Sequence, residues 1–113
     1  MTNLESFGKK VMKSLETYLE LDTSGIRHTI LNIFLKTRKL SCERLHDILK
    51  KKNFSISLKS VSAMLGIMHS RLGIFCAKKE SYETHTVYSL RPEYIGLLKK
   101  ALMRGSYSSK TSL

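Results

Sequence analysis

The sequence predicts a mainly α-helical domain carrying one small β-hairpin. Three observations predict it. Apolar residues recur at spacings of three and four through most of the chain. The helical period stops at Gly73 and gives way to two short extended runs. Capping serines and a glycine stop stand where the periodic segments begin and end. With 113 residues the chain holds one modest core, and its 42% apolar content is ordinary globular usage.

Residues 3–20 read as an amphipathic helix with Leu4, Phe7, Val11, Leu15 and Tyr18 on one stripe. Thr23 or Ser24 is expected to cap a second helix, from Gly25 to about Thr37, with Ile26, Ile30, Ile33 and Phe34 on its apolar face. A short segment at Leu40 follows. Ser41 then caps a third helix with Leu45, Ile48 and Leu49 inward, ending at Lys50-Lys51-Lys52-Asn53. Ser57 caps a fourth helix bearing Val61, Met64, Leu65, Met68 and Leu72, and Gly73 is its left-handed stop. Ile74 to Ala77 and Thr84 to Leu90 are the two hairpin strands. Pro92 suits a helix start, and residues 92–104 form the last helix, which Gly105 is expected to end.

Three central helices followed by a two-stranded wing are the ingredients of a winged helix-turn-helix. The expected organisation is one domain over residues 1–105: an N-terminal helix at 3–20, a winged-helix core at 24–90 and a C-terminal helix at 92–104. Residues 106–113 are expected to be a flexible tail. Charge follows this layout. The net charge is +11, and residues 23–60 carry +7 of it, whereas residues 1–22 are near neutral at −1. A surplus concentrated on the helix-turn-helix segment favours an anionic partner.

Parts of the chain resemble the N-terminal winged-helix domain of the ferric uptake regulator family. Arg27…Ile30-Leu31 resembles the opening of that family's second helix. Leu40-Ser41…Leu45…Leu49 resembles its turn and third helix. Ile56-Ser57-Leu58-Lys59-Ser60-Val61…Leu65 resembles its recognition helix, and Gly73-Ile74-Phe75 its entry to the wing. The resemblance implies a winged helix and DNA binding. It stops short at the Tyr-Arg pair that reaches DNA in the family, which is Ser62-Ala63 here, and at the metal-binding dimerisation domain, which has no counterpart. Metal sensing therefore does not carry over. In length and layout the whole chain is also similar to a group of uncharacterised archaeal winged-helix proteins, which bring no known activity.

The expected nucleic-acid contacts divide by chemistry. Lys36, Arg38, Lys39, Arg44, Lys50, Lys51, Lys52 and Lys59 would pair with backbone phosphates. Ser57, Ser60, Ser62, Ala63, His69 and Ser70 lie on the expected recognition helix or its cap, where small residues permit close approach to a groove. No Arg, Asn or Gln stands among its outward positions, so bidentate base readout has no donor there. Lys78, Lys79 and Tyr82 would act from the wing. The bland readings are a solvated lysine-rich surface and a helix that packs on another protein.

Other classes have less support. There is no phosphate-binding glycine loop, nucleophile motif or carboxylate pair, so no enzyme is expected. His28, His46, His69 and His85 with Cys42 and Cys76 show no metal-ligand spacing, so neither metal nor cofactor is expected. No apolar run spans a bilayer and no signal-peptide pattern opens the chain, so a cytoplasmic protein with reduced thiols is expected. The expected function is a DNA-binding transcriptional regulator or chromosome-associated factor acting on double-stranded DNA. The alternatives are RNA binding and a protein-interaction winged helix within a nucleic-acid machine. A homodimer is expected, with Leu4, Phe7, Val11, Leu15, Tyr18, Ile95, Leu98 and Leu102 at its interface, because a small winged helix has little surface to cover both terminal apolar stripes.

Overall fold

The computed structural model describes residues 3–79 and 86–111, with side chains described for residues 8–79 and 86–103. The elements run α1 (Asn3–Glu20), α2 (Ile26–Thr37), β1 (Lys39–Ser41), α3 (Cys42–Lys51), α4 (Leu58–Leu72), β2 (Phe75–Lys79), β3 (Thr86–Leu90), a 3-10 turn (Pro92–Tyr94) and α5 (Ile95–Thr111). The architecture is five helices around one core, with a three-stranded antiparallel sheet in the order β1-β3-β2.

Several ends obey local rules. The Ser41 hydroxyl accepts from the Arg44 N–H at 3.2 Å, and the Ser57 hydroxyl accepts from the Ser60 N–H at 3.1 Å, so each serine satisfies an orphan donor in the first turn of α3 or α4. Gly73 ends α4 at φ 67°, a left-handed conformation that costs glycine little. Arg38 closes α2 at φ 71° without being glycine; its N–H bonds the Phe34 carbonyl at 2.8 Å and its Nε the Leu35 carbonyl at 2.8 Å.

The start of α2 differs from expectation. Neither Thr23 nor Ser24 caps it. Gly25 occupies the N-cap position at φ 83° with no side-chain cap of its own. The left-handed turn at Gly25 aims the helix start back at Asp22 instead. One Asp22 oxygen accepts from the Gly25 N–H, the other from the His28 N–H, each at 3.1 Å. His28 Nδ1 lies 2.8 Å from the second oxygen and must carry the proton, since a carboxylate only accepts. The Asp22 side chain is 2% exposed. Burial pushes its carboxyl up, but hydrogen bonds from the His28 side chain and from the His28 and Arg27 backbone outweigh that and hold it below the ordinary aspartate value.

The sheet has one strand more than the hairpin requires. Leu40 faces Tyr88 and Ser41 faces Val87, so β1 adds to the free edge of β3. On its other edge β3 pairs with β2 from Phe75–Leu90 to Lys79–Thr86. The strand β2 runs two residues beyond the expected Ala77, and the expected start of β3 at Thr84 and His85 lies outside the described residues. The base of the hairpin is closed by the Arg91 N–H on the Ile74 carbonyl, and the Leu90 N–H on the Arg38 carbonyl extends the β1–β3 pairing.

The last helix also departs from expectation. Pro92 opens a 3-10 turn, and α5 continues through Gly105 to Thr111. A glycine inside a helix costs only about 1 kcal/mol relative to alanine, and no proline follows it to force a stop. Residues 106–111, expected as tail, are therefore helical.

The terminal stripes find their cover inside the chain. Helix α5 packs on α1 and α2, and α1 also meets α4. Val11, Leu15, Tyr18, Leu98 and Leu102 are buried in the common core, and Ile95 packs partly buried against it. Within the single chain these residues are core, and the stripes of α1 and α5 cover each other. Leu4 and Phe7 lie outside the described side chains. The core continues through Ile30, Leu31 and Phe34 of α2, Leu45 and Leu49 of α3, and Val61, Leu65, Met68 and Leu72 of α4. Phe34 meets Phe75 with ring centroids 4.6 Å apart.

Two predictions follow from this packing. Leu98 is fully buried, so Leu98→Ala lowers stability by about 2–5 kcal/mol. Its denaturation midpoint should stay independent of protein concentration; a midpoint that rises with concentration would move α5 to an interface between chains. Asp22→Ala removes the cap of α2 and costs about 1–3 kcal/mol at neutral pH. Because the folded-state pKa of Asp22 is depressed, its contribution is complete well above the ordinary aspartate value and is lost as pH falls through the folded value. Denaturant titrations of both proteins across that range should show the difference closing on the acid side.

Candidate nucleic-acid interface

Helix α4 is held on three sides. It packs on α1, on α3 and on β2, with Val61, Leu65, Met68 and Leu72 turned inward. The opposite face is open: Lys59, Ser62, Ala63, Ile67 and Ser70 are exposed, Ile67 at 45%. This face is small, hydroxyl-bearing and capped at its start by one lysine. Its hydroxyls are not equal. Ser57 and Ser60 bond one another at the helix N-terminus, and the Ser70 hydroxyl donates to the Ile67 carbonyl at 3.3 Å. Ser62 makes no such bond among the described residues.

His69 is turned to the flank of α4 that faces the sheet. Its ring meets Tyr88 of β3 edge-on at 5.8 Å, so it joins α4 to the hairpin and is only partly exposed. Burial, with a smaller push from the neighbouring Cys42 thiol, raises the Tyr88 phenol above its ordinary value. Cys76 is only partly buried, whereas its neighbour Phe75 takes the inward register of β2.

The turn between α3 and α4 is set by two devices. Asn53 adopts φ 71°, a left-handed conformation that asparagine tolerates better than most residues. His46 Nε2 lies 2.8 Å from the Ile56 carbonyl and donates to it across ten residues. Together they fix where α4 leaves α3.

The basic residues do not form one patch. Lys36 of α2 and Lys52 line a groove of about 420 Å³ floored by Ile33 and Ile48. Lys50 borders a separate groove of about 430 Å³ at the α3–α4 turn, beside His46 and Asn53. Thus the run Lys50-Lys51-Lys52 is divided by its helical position. Arg38 and Lys39 are exposed at the α2–β1 corner, Arg44 on the first turn of α3, and Lys78 and Lys79 on the far end of β2. Tyr82 lies outside the described residues. Among the described residues no three His, Cys, Asp or Glu side chains converge as metal ligands, and no helix is long and apolar enough to cross a membrane.

A family described as "Protein of unknown function (DUF2551)" matches residues 15–98. The chain belongs to the DUF2551 family. The match runs from the middle of α1 into α5, so the family unit contains all three sheet strands and all three central helices. The chain is also similar to an uncharacterised protein of Archaeoglobus fulgidus, 40% identical over 91 residues, which cover 80% of this chain and 91% of that protein. No solved structure matches the chain.

Proposed function

We propose that this DUF2551 protein is a winged helix-turn-helix module that binds double-stranded DNA as a transcriptional regulator or chromosome-associated factor. In this reading α2, α3 and α4 are the three-helix core, α4 is the recognition helix and the β2–β3 hairpin is the wing. The observation that carries it is the open face of α4: a 15-residue helix, packed on three sides, leaves exposed a face of Ser62, Ala63 and Ser70 with Lys59 at its start and Ile67 midway. Small side chains permit the close approach that a major groove requires. In this reading the exposed cations Lys59 on this face, Lys50 at the α3–α4 turn and Lys78 and Lys79 on the hairpin supply a sequence-tolerant phosphate affinity.

The same face limits what can be read. It carries Lys59, Ser62, Ala63, Ile67 and Ser70, and among these only Lys59, at the start of the helix, can reach a guanine edge with more than one hydrogen bond. Ser70 already donates to its own helix. Sequence preference therefore comes mainly from DNA shape and from the wing. The exposed Ile67 adds an apolar contact of the kind that suits a thymine methyl.

Duplex DNA and duplex RNA titrations over a range of salt test this reading. Binding should favour DNA, weaken steeply with salt, and lose about 0.9 of logarithmic slope for each phosphate contact removed when Lys50, Lys51 and Lys52 are neutralised together. Ser62→Ala should alter relative affinities among DNA sequences by much less than the ~1–3 kcal/mol of a good base contact. An unchanged slope in the triple variant removes that cluster from the interface. Preference for RNA, or no salt-dependent binding to either duplex, overturns the proposal.

A further inference from the structure

The near-neutral N-terminal segment contributes to a second basic feature on the other flank of α4. A cleft of about 540 Å³ opens between α1, the start of α2 and the end of α4. One stripe of α1, distinct from its buried stripe, forms the long wall with Lys10, Lys13, Ser14 and Thr17. Arg27 enters from the first turn of α2 and Arg71 from the last turn of α4. Four cations and three hydroxyl-bearing residues, Tyr18 among them, thus line the cleft from three elements, and no carboxylate is among the lining residues.

Arg27 is preorganised. Its guanidinium lies over the Tyr18 ring, 4.1 Å from the centroid, and one of its nitrogens donates to the Tyr18 carbonyl at 2.7 Å. Most of its planar fork of donors remains after that bond. Burial pushes the Tyr18 phenol up while Arg27 and Arg71 both pull it down, so both guanidiniums act on the floor of the same cleft. The adjacent acid, Asp22, is spent elsewhere: both its oxygens are turned to the start of α2 and to His28. Its charge raises the Tyr18 phenol by more than Arg71 lowers it, but Asp22 is not among the residues that line the cleft. Leu21, 62% exposed, closes one end with an apolar rim.

We propose that this α1–α2–α4 cleft binds a small phosphorylated molecule of the pyrophosphate class. Two guanidiniums and two ammoniums suit an anion of several negative charges better than a single carboxylate, and guanidinium forks match phosphate oxygens. Ser14 and Thr17, one helical turn apart, add donors that a phosphate accepts. The lining residues lie at positions 10, 13, 14, 17 and 21 of α1 and its end, a run of about 16 Å along the helix, longer than one phosphate needs. Free phosphorylated molecules and nucleic-acid backbone share this chemistry. The convergence of cations from three elements on one cleft and its apolar rim at Leu21 favour the free molecule. Because Arg71 belongs to α4, an occupied cleft would bear on the same helix as the proposed DNA face.

Calorimetric titration of the full chain with inorganic pyrophosphate, at fixed ionic strength against a chloride blank, tests the site without any nucleic acid. One saturable site is expected, with affinity reduced about tenfold or more in Arg71→Gln. Arg71 is exposed, so the variant should keep the wild-type melting temperature when no ligand is present. Lys13→Gln gives a second reading from the opposite wall and should also weaken binding. Neutralising Lys50, Lys51 and Lys52 should leave pyrophosphate affinity unchanged, and Arg71→Gln should leave duplex affinity unchanged. No saturable binding, or equal affinity in Arg71→Gln, overturns the site. A comparable loss in the triple lysine variant would show diffuse charge attraction only. Loss of duplex affinity in Arg71→Gln would assign the cleft to nucleic-acid backbone and also overturn the proposal.

Discussion

The pairing of β3 on both edges organises this molecule. Its partners flank the α3–α4 pair: β1 leads directly into α3, and β2 follows α4. A single five-residue strand therefore closes this pair at entry and exit. Once β3 is placed, α3 and α4 must fit between fixed ends, and the hairpin must emerge beside α4. The contact of His69 with Tyr88 is a consequence, since Tyr88 stands opposite both Leu40 and Ala77 in the same sheet. Sheet formation and helix placement are thus one cooperative event, and the apolar stripe of α4 is buried by elements on either side of it.

That arrangement separates two kinds of surface. One flank of α4 meets the sheet, the other meets α1, and the face between them is left open. The exposed cations lie in a groove between α2 and α3, in another at the α3–α4 turn, at the α2–β1 corner, at the start of α4 and on the far end of β2. Such a distribution supports an affinity built from many weak phosphate contacts in the proposed reading, with little direct base recognition. The cleft at the α1 flank has a different character. Its cations converge, one of them is locked over an aromatic ring, and its neighbouring acid is consumed by a helix start.

Elements with strong local chemistry were legible in the sequence. Val61, Leu65, Met68 and Leu72 recur at helical spacing and are the buried face of α4; Ser41, Ser57 and Gly73 stand at the ends they were expected to mark. What escaped depends on long-range packing. Three residues with one apolar member carry no period, so β1 was visible only as a short Leu40 segment and not as a strand. The Asp22 cap required the left-handed turn at Gly25, which no periodicity reveals. The stripes of α1 and α5 looked uncovered because their mutual contact spans most of the chain. Summed charge also concealed the cleft: residues 1–22 are near neutral overall, yet Lys10 and Lys13 share one stripe of α1 and join Arg27 and Arg71 from distant segments. The open face of α4 was legible as a helix face, but the diversion of His69 to Tyr88 and of Ser70 to its own backbone was not.

In the proposed reading the open face of α4 is the face that meets duplex DNA. Amide chemical-shift mapping of the labelled protein, titrated with a mixed-sequence duplex at low and at moderate salt, measures this directly. The largest shifts should fall on α4 between Lys59 and Ser70, at the α3–α4 turn around Asn53, and on Lys78 and Lys79, with the buried residues of α5 little affected. Shifts confined to α1 and α5, with α4 silent, would contradict the account.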